Sequence, residues 1–362
     1  MYSKIILILA IVLWLIMYSI REKINLKVYG GIFGILKTKI GLELIDYLGK
    51  FKIWKKIGIY LVPIAGILGF YMLINLIFFI VNLVSGAVPK DSAKPIIFLF
   101  GNVIPWIPGL IGITIAITIH ELAHGVFAKS YNVNVKSTGL IFLLGFPLGA
   151  FVELDDKFKE INKKIRGVIA AAGPMANMLL FIIVMLLLPI SYNLPAEIKV
   201  VKTDYNAKNF LKKGDIIYQI GNIKINNLED FKKAAKTLEP NKEYIVKVIR
   251  DGKIFEYNIK TNDKGKLGIY VTVSGWISYL VNTLYWTYMF NFLLALFNLL
   301  PAKPLDGYFV WTAIPELFKD SKYKIVSRLG IFLEYLINER TLNSITMIIW
   351  WIILGSIIYS MF

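Results

Sequence analysis

The chain has 362 residues, of which 57% are hydrophobic and 18% charged, with a mean hydropathy of +0.62 and a formal net charge of +17. That leaves too little polar surface for a water-facing globule. With no arginine-rich or RNA-like aromatic motif, the positive charge reads as lysine-rich loops against a lipid bilayer and its anionic face, with no nucleic-acid partner.

In chain order, apolar runs that approach or exceed the roughly 20 residues needed to cross hydrocarbon predict six spans, at 2–20, 57–86, 96–125, 165–190, 276–300 and 342–362. The first lacks a small-residue cleavage site before Arg21, so it reads as a retained span and not as a signal peptide. Segment 21–56 carries nine Lys/Arg and an amphipathic stretch at Leu42–Leu48. Loop 87–94 has two Lys, 126–166 has seven Lys/Arg and 301–341 has six. Rich and poor loops alternate as the positive-inside rule expects if the N-terminus and 191–275 lie outside the cytoplasm.

Residues 196–273 are polar and separate two groups of spans. Strand-like alternation at Glu243–Ile249 and Ile254–Ile259, joined by Arg-Asp-Gly-Lys at 250–253, predicts a hairpin, and Leu228–Leu238 reads as a helix before it. The stretch LKKGDIIYQIGNIKI, Leu211 to Ile225, resembles the core strand of prokaryotic-type PDZ domains, with Gly221 and Asn222 in swapped order. The expected fold is therefore a multi-pass α-helical membrane protein of about six spans with an inserted small α+β PDZ-like domain. Its predicted parts are N-terminal spans and an amphipathic segment (1–95), a first membrane-core part (96–190), the PDZ-like extracytoplasmic domain (196–273), and a second core part with the last span (276–362).

Both histidines of the chain fall in TIHELAHG, Thr118 to Gly125, at the end of a predicted span. On a helix, residues i and i+4 share a face about 5–6 Å apart, so His120 and His124 can reach one ion. Glu121 points about 100° away, free to act on water bound to that ion as a general base. Ionisable groups at membrane depth cost at least a few kcal/mol unless compensated, and a metal such as zinc compensates all three. Zinc in a catalytic site takes three protein ligands and a water. With no cysteine to supply a thiolate and no third histidine, the remaining ligand must be an acidic residue. The best candidate is Asp306 in FNLLPAKPLDG, Phe297 to Gly307, where Pro301 and Pro304 break the helix after an apolar span.

Elsewhere, Ala170–Gly173 and Ala176 are small enough for close helix packing. Asn177 beyond them, and Asn298, read equally as donors to a developing oxyanion or as interhelical amide bridges. The run Gly139–Glu153, broken by Gly145, Pro147 and Gly149, is too short for a sound span.

His120–His124, AGPMAN at Ala172–Asn177, and Asn298, Pro301, Pro304 and Leu305–Gly307 together resemble, in family order, the three signature motifs of the site-2 protease family of intramembrane zinc metalloproteases. The resemblance covers about 96–310. It implies one catalytic zinc on His120, His124 and Asp306, with Glu121 as catalytic acid/base. It also implies a membrane-embedded β-hairpin at Gly139–Glu153, whose edge would receive an opened substrate by strand addition. Tyr308 departs from the family, many members of which have a second glycine there.

The implied function is hydrolysis of peptide bonds within or near transmembrane segments of membrane-protein substrates, at the cell membrane; because His120 lies late in a span entered from outside, the active site is expected nearer the cytoplasmic face. Two alternatives stay open. A prenyl-protein metalloprotease would take its third ligand from an E-x-x-x-D pattern such as Glu316–Asp320. A metal-binding transporter would need further intramembrane ligands along a path. The sequence is silent on oligomeric state.

Overall fold

The computed structural model describes residues 2–94 and 104–361. The chain begins with α1 (Tyr2–Ser19), β1 (Leu26–Tyr29), β2 (Phe33–Thr38), α2 (Leu42–Leu48) and α3 (Ile53–Val84). There follow α4 (Trp106–Ser130), the hairpin β3 (Val135–Leu143) and β4 (Phe146–Leu154), a single turn α5 (Lys157–Glu160), and α6 (Lys163–Ser191). The polar region forms β5 (Ile198–Thr203), β6 (Ile216–Ile220), β7 (Ile223–Lys224), α7 (Leu228–Lys236), β8 (Glu243–Arg250), β9 (Lys253–Lys260) and β10 (Ile269–Val273). The chain then continues through α8 (Gly275–Asn298), α9 (Gly307–Lys319), α10 (Lys324–Leu336) and α11 (Glu339–Tyr359).

Among the described residues, five helices are long and apolar enough to cross a membrane: α3, α4, α6, α8 and α11. They match five of the six expected spans, and the protein is a multi-pass helical membrane protein. The first expected span is helical too, over Tyr2–Ser19. The start of the third expected span falls on 95–103, outside the described residues. Large apolar side chains stand exposed on these helices, such as Ile67 of α3 at 70% and Leu186 of α6 at 63%, as lipid contact requires and water contact would penalise.

Two compact units divide the chain. The first comprises 1–104, 113–181 and 289–362, and the second 105–112 and 182–288. In the first, small residues let helices approach closely. A Cβ at Gly58 of α3 would meet the Tyr131 hydroxyl at 2.7 Å, and one at Gly66 would meet Ile314 of α9 at 3.0 Å. Around these contacts Val62, Ala65, Ala128, Ala171, Leu299 and Ala313 form a fully buried core.

The hairpin expected at Gly139–Glu153 is present, and it turns through Leu144 and Gly145, both at positive φ. It belongs, however, to a four-stranded antiparallel sheet ordered β1-β2-β3-β4. Segment 21–56, which sequence patterning marked only for charge and amphipathicity, thus supplies two strands. Because β2 takes one edge of β3, the free edge of the hairpin belongs to β4.

In the second unit the sheet order is β10-β5-β6-β8-β9, with β7 paired to β6 and α7 capped by the Asn227 side chain accepting from Asp230 N–H. The hairpin at 250–253 closes as expected, through Asp251 and Gly252, both at positive φ, the conformation a two-residue type I′ turn requires. Buried Asp215 accepts two 2.7 Å bonds from Arg250. Burial pushes its carboxyl up, but the Arg250 guanidinium and the Lys212 N–H outweigh that and hold it below the ordinary aspartate value.

Candidate metal centre

Residues 106–130 form one uninterrupted helix, so His120 and His124 fall one turn apart, with ring centroids 4.7 Å from each other. The helix breaks after Asn298, as the prolines predict. In the break Ala302 N–H donates to Leu300 C=O and Leu305 N–H to Ala302 C=O, each at 2.8 Å. The Lys303 C=O accepts from Trp350 Nε1 at 2.7 Å and its N–H donates to Thr346 Oγ1 at 3.1 Å, both on α11. These partners satisfy inside the protein the backbone groups that lipid would leave unpaired. Gly307 packs against the Leu299 and Leu300 carbonyls so closely that a Cβ would collide with them. Asp306, at the start of α9, is thereby turned towards α4.

The Asp306 Oδ2 atom lies 3.0 Å from His120 Nε2 and 3.3 Å from His124 Nε2. The three residues offer ligand atoms that all lie within 4.8 Å of one another. Ligands about 2.0–2.1 Å from a tetrahedral zinc would be separated by about 3.3 Å, so the donor set and its spacing fit that ion. His124 Nδ1 donates to the Ile169 carbonyl at 2.8 Å, which fixes the tautomer and leaves the Nε2 lone pair facing the aspartate. His120 Nδ1 is buried and has no hydrogen-bond partner among the described residues.

Helix α6 lies hard against this group through Gly173. A Cβ there would come 2.8 Å from His120 Nε2 and closer still to His124 Nε2. The sequence marked Gly173 for helix packing, and the structure gives it a narrower role, as the one residue type that leaves room for both imidazoles.

Glu121 accepts a 2.8 Å hydrogen bond from the Val152 N–H of β4. His120, Glu121, His124, Asp306 and Asn298 line one cavity of about 300 Å³, together with Val152 and Phe309. Asn177 is fully buried, is not part of that lining, and its side-chain amide has no partner among the described residues. Glu316 and Asp320 pair with Lys319 and Lys164 and stand outside the ligand group. Tyr308, where many relatives of the family have glycine, is buried, with the Lys303 ammonium 4.5 Å from its ring centre.

Against known proteins, a protein of Methanocaldococcus jannaschii described as uncharacterized is 60% identical over 359 residues, spanning 99% of this chain and 98% of the relative. A protein of Rickettsia conorii, provisionally named a zinc metalloprotease, is 34% identical over 107 residues, covering 21% of this chain and 30% of its own length. The model of Peptidase family M50 matches residues 108–337, which contain all three signature motifs and His120, Glu121, His124 and Asp306. The chain belongs to peptidase family M50, the site-2 protease family.

Proposed function

We propose that this protein is an intramembrane zinc metalloprotease that cuts peptide bonds within or near the transmembrane segments of other membrane proteins. The observation that carries this reading is the meeting of His120, His124 and Asp306 within 4.8 Å, on helices long and apolar enough to be membrane spans or adjoining one. Family membership makes zinc the expected ion.

His120 Nε2, His124 Nε2 and an Asp306 oxygen would hold the ion. Bound there, zinc supplies Lewis-acid polarisation of the scissile carbonyl and lowers the pKa of water. Glu121 takes the proton of the attacking water and returns it to the leaving amine nitrogen. Asn298, at the cavity wall, donates its amide N–H to the oxygen on which negative charge develops. The exposed edge of β4 receives the substrate as an additional strand, which requires the substrate helix to open first. Asn177, away from the cavity, acts through packing between helices.

The polar unit is proposed to be a PDZ-like domain on the extracytoplasmic side that admits substrates by the size of their external part. Its sheet, the single helix α7, and a cavity of about 310 Å³ between Phe231 and Leu238 on one side and Gly268–Tyr270 on the other support that reading. The alternation of Lys/Arg-rich loops supports a site open to the cytoplasmic face.

The test is cleavage of single-span substrates in liposomes, with chelation and zinc re-addition. Zinc-dependent cuts inside the spanning segment support the reading. Zinc transport across the liposome with no cleavage would replace it with a transporter.

A further inference from the structure

Beside the metal cavity lies a second cavity of about 370 Å³, and Glu121 and Val152 belong to the walls of both. Its floor is one face of the four-stranded sheet. The registers place Thr38, Thr138 and Val152 in one row across β2, β3 and β4, and Leu36, Leu140 and Ala150 in the next. Its opposite walls come from Leu44 and Ile45 of α2 and from Thr118 and Glu121 of α4.

This cavity is built to be apolar. Thr138 Oγ1 donates to the Ile40 carbonyl at 2.8 Å and receives the Thr38 hydroxyl at 3.0 Å, while Thr38 Oγ1 accepts the Ile40 N–H at 3.3 Å. Both hydroxyls are thus engaged, and their methyl groups are left for an occupant. The α2 wall is fixed to the helix that bears Glu121. Ile45 is 2% exposed and fits against Gly125, where a Cβ would meet it at 2.8 Å, and Asp46 pairs with Lys129 at 2.7 Å. Leu44 and Leu140 nevertheless stay 49% and 40% exposed, so the fold itself leaves this apolar surface uncovered.

We infer that this cavity is a specificity subsite, which takes a large apolar side chain of the residue next to the scissile bond, and that β2 and α2, outside the matched family region, build it for that purpose. The inference rests on the proteolytic reading above. Glu121 must stand beside the scissile carbonyl, and an extended chain advances about 3.3 Å per residue. A cavity with Glu121 in its wall is therefore within reach of a side chain next to the bond cut. A substrate strand added at the free edge of β4 turns every second side chain to that face.

The test is a set of transmembrane substrates that differ only in having Ala, Leu or Phe on either side of the scissile bond. It uses the full chain, with Ala150→Phe and Leu44→Trp as two variants that fill the cavity from different elements, and zinc content reports that each variant is folded. Expected is a wild-type preference of about tenfold or more for Phe or Leu over Ala, abolished or inverted in both variants.

Absence of preference in the wild type, or equal loss on all substrates in both variants, would overturn the subsite while leaving proteolysis standing. So would unchanged selectivity accompanied by loss of a co-purified acyl chain, which identifies lipid as the occupant. If the wild type cut no substrate, the proteolytic reading fails. Binding of the same peptides to Glu121→Gln protein then decides the subsite separately: discrimination by size that Ala150→Phe removes keeps it, and equal binding discards it.

Discussion

The carboxylate of Glu121 accepts a hydrogen bond from the backbone N–H of Val152, 2.8 Å away on the outer edge of β4. The group proposed to move the proton is therefore tied to the strand proposed to receive the substrate. Removing that N–H with Val152→Pro leaves the β3 pairing in place, because this N–H points away from β3. The hydrogen bond to an ionised acceptor contributes about 1.5–3 kcal/mol. Cleavage is expected to fall roughly tenfold or more, with zinc content unchanged. Val152→Ala, which keeps the donor, should fall less, and equal losses would assign the effect to the side chain.

Gly173 offers a sharper structural test. An alanine there would force its Cβ into the space held by both Nε2 atoms, so Gly173→Ala should lower zinc affinity by about an order of magnitude or more, comparable to the loss of an outer-shell partner. Gly355 of α11 has no atom within 4 Å of its notional Cβ, and Gly355→Ala should leave zinc binding as it is. Isothermal titration with zinc on the two variants separates a local collision from a general sensitivity of membrane glycines.

The two asparagines should part company. Asn298 lines the metal cavity and Asn177 does not. Asn298→Ala is expected to reduce kcat by about 10²–10³ with little change in KM, the pattern of a donor used in the transition state. Asn177→Ala removes a buried amide that lacks a partner among the described residues and should act on thermal stability and not on kcat. Steady-state kinetics beside melting curves for both variants checks this.

In the polar unit, Asp215 titrates below its ordinary value. Its stabilising effect is therefore complete above the unfolded aspartate pKa of about 3.9 and is lost as pH falls through that value towards the folded one. Arg250 keeps 18% of its side chain exposed, so breaking the pair should cost about 1–3 kcal/mol, less than for a fully buried pair. Asp215→Ala should accelerate proteolysis within 196–273 at pH 7, and the gap between variant and wild type should close below about pH 3.9.

Much of the centre is legible in the sequence because its signals are local. Two histidines four apart need only a helix to converge, and Pro301 and Pro304 announce the break that presents Asp306. The hairpins at 144–145 and 251–252 are marked by glycines that the turns require. The strands β1 and β2 are not legible in the same way. They are four and six residues long, their lysines read as cytoplasmic charge, and β2, to which β1 pairs, joins β3 across a hundred residues of sequence. Helices α9 and α10, 13 residues each, hide in a stretch that charge counting treats as a loop. The role of Gly173 is invisible for a related reason, since only the folded approach of α6 to α4 shows what its missing side chain makes room for.

Zinc content of purified protein, compared between Asp306→Ala and Glu316→Ala, tests most directly whether a metal is held by the two histidines and Asp306. Stoichiometric zinc in the wild type and in Glu316→Ala, with zinc lost from Asp306→Ala, is the predicted result. Zinc retained by Asp306→Ala, or lost from Glu316→Ala, would contradict it.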